Sequence, residues 1–528
     1  MKNDDRDAPV APRPDAPPPT GDMSAEEFRR HGHALIDWIS DYFTNIEARP
    51  VLAQVKPREL IEQLPAAAPA AGEPMDAILA DVDKLIAPAL THWNHPSFFA
   101  YFATSTSAPG IFGELLSAAF DVKSLLWRTA PAAAELEEVA LSWLRQMLGL
   151  PAEFAGVIYD TASVSSLHAI AAAREHLALD IREQGLSGRP DLPLLRVYAS
   201  EQAHSSIDKA VIALGLGQRA LRKIPTDANF RMDADALARA VEEDKRDGLL
   251  PFCVVATVGT TSTTSIDPVN AIADVCERHK LWLHVDAAYA GSAGIVPELC
   301  PVVLDGCERA DSLTLNPHKW LFTPFDLSVL YCRRIEVLHH AFSLVPEYLR
   351  TPAAETEGIR NGADYGVQLG RRFRSLKLWM ILRYFGHDGL AARIREHCRL
   401  ARLFASWVEA DPRWELLAPV PLSVVCFRAV PPPNAAGETD DARAAAKTDN
   451  ARAAAETDDA RAARLDALNE RLMHAANSTG ALFISHTRLH NKFTLRLAVG
   501  NIRTTEEHVR RAWQLLNDTL HTTPHTTS

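Results

Sequence analysis

The chain has no run of about 18 apolar residues, so no membrane-spanning helix is expected. It is also short of positive charge. Its 55 Lys and Arg stand against 67 Asp and Glu, a formal net charge of −12, which disfavours nucleic acid and anionic membrane surfaces as partners. Cysteine is sparse and unpatterned: the seven residues, from Cys253 to Cys426, include no C-x-x-C pair. No metal site or disulfide framework is therefore expected, and the thiols read as reduced in a cytoplasmic protein. The N-terminus lacks the basic-then-apolar order of a secretory signal. Residues 1–21, dominated by Pro, Ala and Asp, are expected to form a disordered tail. What remains is ample, because 47% of the residues are hydrophobic and can build a large core.

Several apolar runs end in small or polar residues and lead into helical patterns. Gly156–Asp160 precedes Thr161-Ala162-Ser163, Val197–Ser200 precedes Glu201–Ser206, and Val254–Val258 precedes Gly259-Thr260-Thr261. Leu281–Val285 ends at Asp286 and Ala288, and Ser312–Leu315 leads to Asn316-Pro317-His318-Lys319-Trp320. This alternation predicts an α/β protein with a mostly parallel sheet that gathers polar groups at the C-terminal ends of its strands. Hydroxyl residues opening a helix after Tyr159 make a natural phosphate site, although such a motif alone is more often an ordinary cap. A carboxylate at Asp286, closing a buried strand, is costly unless it meets a cation or donor. Taken singly, Asp286 and Lys319 are an ordinary strand-end acid and an ordinary lysine.

Together, His-Val-Asp-Ala-Ala-Tyr-Ala-Gly-Ser from His284 and Asn-Pro-His-Lys-Trp from Asn316 resemble the group II decarboxylases. These are pyridoxal-5′-phosphate (PLP) enzymes of the aspartate-aminotransferase fold, and the pattern is closest to the aromatic-L-amino-acid decarboxylases. The resemblance runs from about Phe28 to about Leu516. It implies that Lys319 holds the cofactor covalently and that Asp286 keeps its ring nitrogen protonated. It further implies Ala288 beneath the ring, His204 stacked above it, Ala162 and Ser163 at the phosphate, and Thr261, Ser312 and His318 at the same edge. Trp93, Tyr101, Phe102 and Thr104 are implied as the substrate wall, with Gly370 setting its size and Tyr348 supplying a proton at Cα. Ala103, Leu125 and Asp160 depart from the family pattern and imply a pocket of altered shape.

The domain reading follows the same resemblance. Residues 22–107 form a helical segment that packs on a second copy in a homodimer, 108–375 the PLP-binding domain, and 376–528 a small α+β domain. Within the last, residues 431–464 carry three copies of a polar nonapeptide, too poor in large apolar residues to bury a face. A disordered segment or a solvated helix is expected there. Tyr348 and His204 favour simple decarboxylation over oxidative aldehyde formation, and Gly370 favours tryptophan, 5-hydroxytryptophan or Dopa over tyrosine or histidine. A catalytically silent binding protein remains the third reading, against which the intact Lys319–Asp286 pair stands.

Overall fold

The computed structural model describes residues 20–344, 359–430 and 458–523. Its centre is a seven-stranded sheet of β1 (Ala155–Tyr159), β2 (Leu195–Ser200), β3 (Leu221–Ile224), β4 (Leu250–Thr257), β5 (Trp282–Asp286), β6 (Ser312–Leu315) and β7 (Ser328–Cys332). The strand order is β1-β7-β6-β5-β4-β2-β3, and β7 alone runs antiparallel to its neighbours. Parallel strands covered on both faces should be continuously apolar. Every residue of β5 is buried, as is every residue of β4 after Leu250. One face packs Leu283, Val285 and Leu313 into the main core, and the other packs Val197, Val255 and Trp282 under a second cluster.

A second, antiparallel sheet comprises β8 (Trp414–Leu416), β9 (Val424–Ala429), β10 (Ser485–Leu489) and β11 (Lys492–Ala498), in the order β10-β11-β9-β8. Helices Ser375–Ala410, Asp458–Ser478 and Glu506–Thr522 supply Phe404, Leu472 and Leu516 to its core. Burial of each such side chain contributes roughly 1.5–3 kcal/mol. The last copy of the nonapeptide, from Asp458, lies in a helix continuous with the apolar residues beyond Leu465. The first two copies lie outside the described residues.

Local chemistry explains the helix starts. Ser24 and Glu27 form a reciprocal capping box that opens Ala25–Thr44. That helix is amphipathic as its spacing predicts, yet none of its residues is buried within the chain. The helix predicted from Met75 is α-helical only to Asp81 and continues as a π-turn, Val82–Ile86. At the end of β4, Gly259 has φ +86°, and a Cβ there would lie 2.6 Å from that of Ala290. Only glycine allows this close crossing above β5, where the polar strand ends converge.

Candidate active site

The strand register fixes the centre of the site. Asp286, last in β5, pairs across the sheet with Thr257 of β4 and Thr314 of β6. Its carboxylate Oδ1 accepts the Ala288 N–H at 3.1 Å. Two residues beyond β6, the short helix Pro317–Trp320 begins and presents Lys319 to the same edge. A cavity of about 180 Å³ opens there, lined at its centre by Asp286, Ala288, His204 and Lys319. Ala162, Ser163, Thr261 and His318 complete the part of the wall that the sequence reading assigned.

Each of these side chains is held. Burial is the main cause that pushes the Lys319 amine below its usual pKa; Asp286 opposes the shift and Arg496 reinforces it. A neutral amine is the nucleophilic form. His204 Nδ1 accepts the Ser206 N–H at 3.1 Å, so the neutral ring carries its proton on Nε2. Burial, then the Lys319 charge, lowers the His204 pKa. His318 Nδ1 accepts the Leu327 N–H at 2.9 Å, and burial pushes its pKa down to about 3. Thr161 stands at the N-cap of helix Ala162–Glu175 without a side-chain cap bond, and the first residues of that helix, Ala162 and Ser163, line the cavity with amides that have no partner within the helix.

Asp160 does not aim its charge into this cradle. Its Oδ1 accepts the Thr161 N–H at 2.6 Å and its Oδ2 accepts from Gln368 Nε2 at 3.1 Å. A second cavity, of about 660 Å³, joins the first through Phe102, His204, Thr261, His318 and Lys319. Trp93, Tyr101 and Thr104 line it, with Thr323, Pro324 and Phe325 on the far side. Phe102 stacks on Tyr289 at 3.9 Å, and Tyr289 on Trp320 at 4.7 Å, so the shared wall is backed by a column of aromatic rings.

Two assigned residues fall elsewhere. Ser312 is wholly buried at the start of β6, three residues before the strand end, its hydroxyl shared by Trp282 Nε1 and His284 Nδ1, both at 2.9 Å. It lines neither cavity. Gly370 is exposed and also lines neither cavity of the single chain. Tyr348 lies outside the described residues. Ala103 packs with Val51, Phe98 and Ala100 in a small core instead of facing the cavity, and Leu125 does not line it either. Conversely, Asn316 and Thr257 were not singled out, although both line the smaller cavity. Asn316 Oδ1 and Thr257 Oγ1 are buried there without a hydrogen-bond partner. Asn316 stood in the lysine motif and could have been found from it. Thr257 depends on the pairing of β4 with β5, which periodicity does not reveal.

The smaller cavity suits PLP on its own features: helix-start amides for a phosphate, an acid, an imidazole and a methyl on its walls, and one buried lysine whose amine burial pushes below its usual pKa. Buried orphan acceptors and hydroxyls await polar groups of a ligand. Fold and site thus define a PLP-dependent enzyme.

Comparison with known proteins agrees. The pyridoxal-dependent decarboxylase conserved domain matches residues 57–430. Tryptophan decarboxylase 2 of Oryza sativa subsp. japonica is 40% identical over 504 residues, covering 94% of this chain and 95% of that protein. Phenylacetaldehyde synthase of Arabidopsis thaliana is 39% identical over 504 residues, covering 94% and 96%. The crystal structure of Oryza sativa TDC with PLP and tryptamine superposes with a TM-score of 0.85 at 39% identity, covering 94% of this chain and 98% of that one. The chain belongs to the pyridoxal-dependent decarboxylase family and is a PLP-dependent carboxy-lyase of the aromatic amino acid branch.

Proposed function

We propose that the enzyme decarboxylates a bulky aromatic L-amino acid, of the tryptophan, 5-hydroxytryptophan or Dopa kind, to the corresponding amine and CO2. The observation that carries this reading is the junction of the two cavities: the cofactor-sized space opens, at Lys319 and His204, into a larger one walled by Trp93, Tyr101, Phe102 and Phe325. Bound PLP supplies an electron sink for the pair left behind when CO2 departs.

The chain's own residues do the rest. Lys319, its amine held below its usual pKa mainly by burial, would anchor the cofactor covalently and give way to the substrate amine. Asp286, oriented by the Ala288 N–H, would hold a proton at the cofactor's ring nitrogen. His204, with its tautomer set by Ser206, would lie against the ring face, and Ala162 and Ser163 would offer backbone N–H groups to the phosphate. Phe102 and its aromatic column exclude water from the reacting carboxylate and fix the side chain, which holds one bond of Cα in the reactive orientation. Tyr348 is assigned the proton delivered to Cα.

A homodimer is part of this reading. No residue of helix Ala25–Thr44 is fully buried within its own chain, and Phe28, Leu35 and Ile36 are exposed on it. Phe112, Leu115, Leu116 and Phe120 of helix Ala108–Phe120 are exposed as well. A second copy covering these faces would give Gly370 a place at the neighbouring site. The seven free cysteines suit the reducing cytoplasm, where we place the enzyme.

An aromatic aldehyde synthase is the second reading, favoured by the similarity to phenylacetaldehyde synthase. Mass spectrometry of products from the seven candidates (tryptophan, 5-hydroxytryptophan, Dopa, tyrosine, phenylalanine, histidine and glutamate), with peroxide assayed alongside, separates the two. Amine without matching peroxide supports decarboxylation; aldehyde with stoichiometric peroxide and ammonia overturns it.

A further inference from the structure

The stretch Gly370-Arg371-Arg372-Phe373-Arg374-Ser375-Leu376 leads into helix Ser375–Ala410, and the roles assigned so far leave its cations unused. They do not all face solvent. Lys377, in the first turn, has a side chain only 1% exposed. An ammonium has three protons to donate, and all three are taken: by the Glu114 carboxylate, by the Pro324 carbonyl at 3.0 Å and by the Asp326 carbonyl at 2.8 Å. One turn earlier, Arg374 Nε donates to Asp326 Oδ1 at 2.8 Å, and its second nitrogen donates to Oδ2 at 3.3 Å.

What these bonds hold is the far wall of the larger cavity. Thr323, Pro324 and Phe325 line it, and the Phe325 side chain is 74% exposed with a tilted ring contact to His318 at 4.9 Å. Little packing therefore fixes this wall from the cavity side. On the other side the fit is tight. A Cβ at Gly110 would lie 2.4 Å from Pro324 Cδ, and one at Gly113 would lie 2.5 Å from Lys377 Cα. Helix Ala108–Phe120 is thus packed directly against both the loop and the lysine. A buried ammonium is costly where an apolar side chain would fill the same space. Its yield here is directional: Lys377, in the first turn, holds the backbone carbonyls on either side of Phe325, and Arg374, at the N-cap, holds the Asp326 carboxylate.

We propose that Lys377 and Arg374 are positioning residues that set the substrate wall through Pro324 and Phe325, and so determine which aromatic side chains the enzyme prefers; the proposal rests on the decarboxylase reading above. Neither residue lines either cavity.

The test uses the PLP-loaded full chain with Lys377→Met, Arg374→Met and the conservative Arg374→Lys. Affinities for tryptamine and tyramine are measured by calorimetry, with kcat and KM for tryptophan and tyrosine, cofactor absorbance and Tm alongside. Both Met variants are expected to weaken tryptamine about tenfold and to change the tryptamine-to-tyramine ratio at least about threefold, with kcat on the preferred substrate within about twofold. Arg374→Lys should recover part of the loss. An unchanged ratio, or loss of kcat and cofactor absorbance in step with Tm, overturns the proposal. Failure of the decarboxylase reading is distinct: wild-type enzyme would then form no amine, whereas the affinity ratios are read without turnover.

Discussion

Trp320, the residue after Lys319, donates its indole N–H to His397 Nδ1 at 3.0 Å, and His397 Nε2 in turn lies 3.0 Å from the Asn501 carbonyl. The side-chain amide of Asn501 donates to the Trp93 and His95 carbonyls at 3.2 and 3.1 Å. A buried chain of hydrogen bonds therefore runs from the lysine helix, across helix Ser375–Ala410, to the segment that walls the larger cavity. Replacing His397 by leucine would leave a buried indole N–H unpaired, at about 1–3 kcal/mol, while the Asn501 carbonyl keeps the Thr504 N–H at 3.0 Å. The expected outcome is a Tm lower by about 1–3 °C, measured on the holoenzyme by calorimetry.

Lys319→Ala is expected to abolish turnover together with the visible absorbance of covalently held cofactor. Asp286→Asn should retain that absorbance and still lose at least about a thousandfold in kcat, since the amide cannot hold the ring-nitrogen proton as the carboxylate does. Spectra and rates on the same preparations separate the two effects. Wild-type rates in either variant would remove that residue from the mechanism.

The helix-start cradle predicts a charge effect. Ser163→Asp places a carboxylate beside amides that suit a phosphate, so PLP affinity should fall about tenfold or more. Ser163→Ala keeps the backbone donor and should cost less than the aspartate. Titration of apoenzyme with PLP, followed by absorbance, gives both values.

Acid should weaken the fold before it protonates ordinary carboxylates. Burial pushes His95, His168, His284 and His397 down to about 4, and His318 to about 3, from an unfolded value of about 6.5. Between those limits the unfolded chain binds more protons than the folded one, so stability is full above about pH 6.5 and is lost as pH falls towards 4. Each histidine contributes a slope of up to about 1.4 kcal/mol per pH unit. Asp267, raised by burial to about 6, acts in the opposite sense but is a single group. Thermal melts from pH 7.5 to pH 4.5 should show a continuous fall in Tm starting near pH 6.5. A flat profile to pH 5 would contradict the neutral burial of these rings.

Periodicity and short motifs made much of this architecture legible. The apolar runs ending at Tyr159, Ser200, Asp286 and Leu315 correspond to strands β1, β2, β5 and β6, because a strand covered on both faces has to be written as a continuous apolar run. The Ser24 cap was equally readable, being a contact within four residues. Less local features were not. Helix Met75–Asp81 passes into a π-turn that no spacing announced, and Ser312 stands in the right motif yet turns its hydroxyl to Trp282 and His284 within the sheet.

By itself the sequence determined the chemistry at hand: a lysine, an acid, a histidine and a helix start, each at the end of an element whose hydrophobic pattern set its type. Only the tertiary structure decided which of them meet. Thr257 joins Asp286 because β4 and β5 are neighbours in register, and Lys377 reaches Pro324 and Asp326 across more than fifty residues because the long helix packs behind that loop. Such contacts depend on strand order and helix packing, which arise from the burial of whole surfaces and leave no mark in a local pattern.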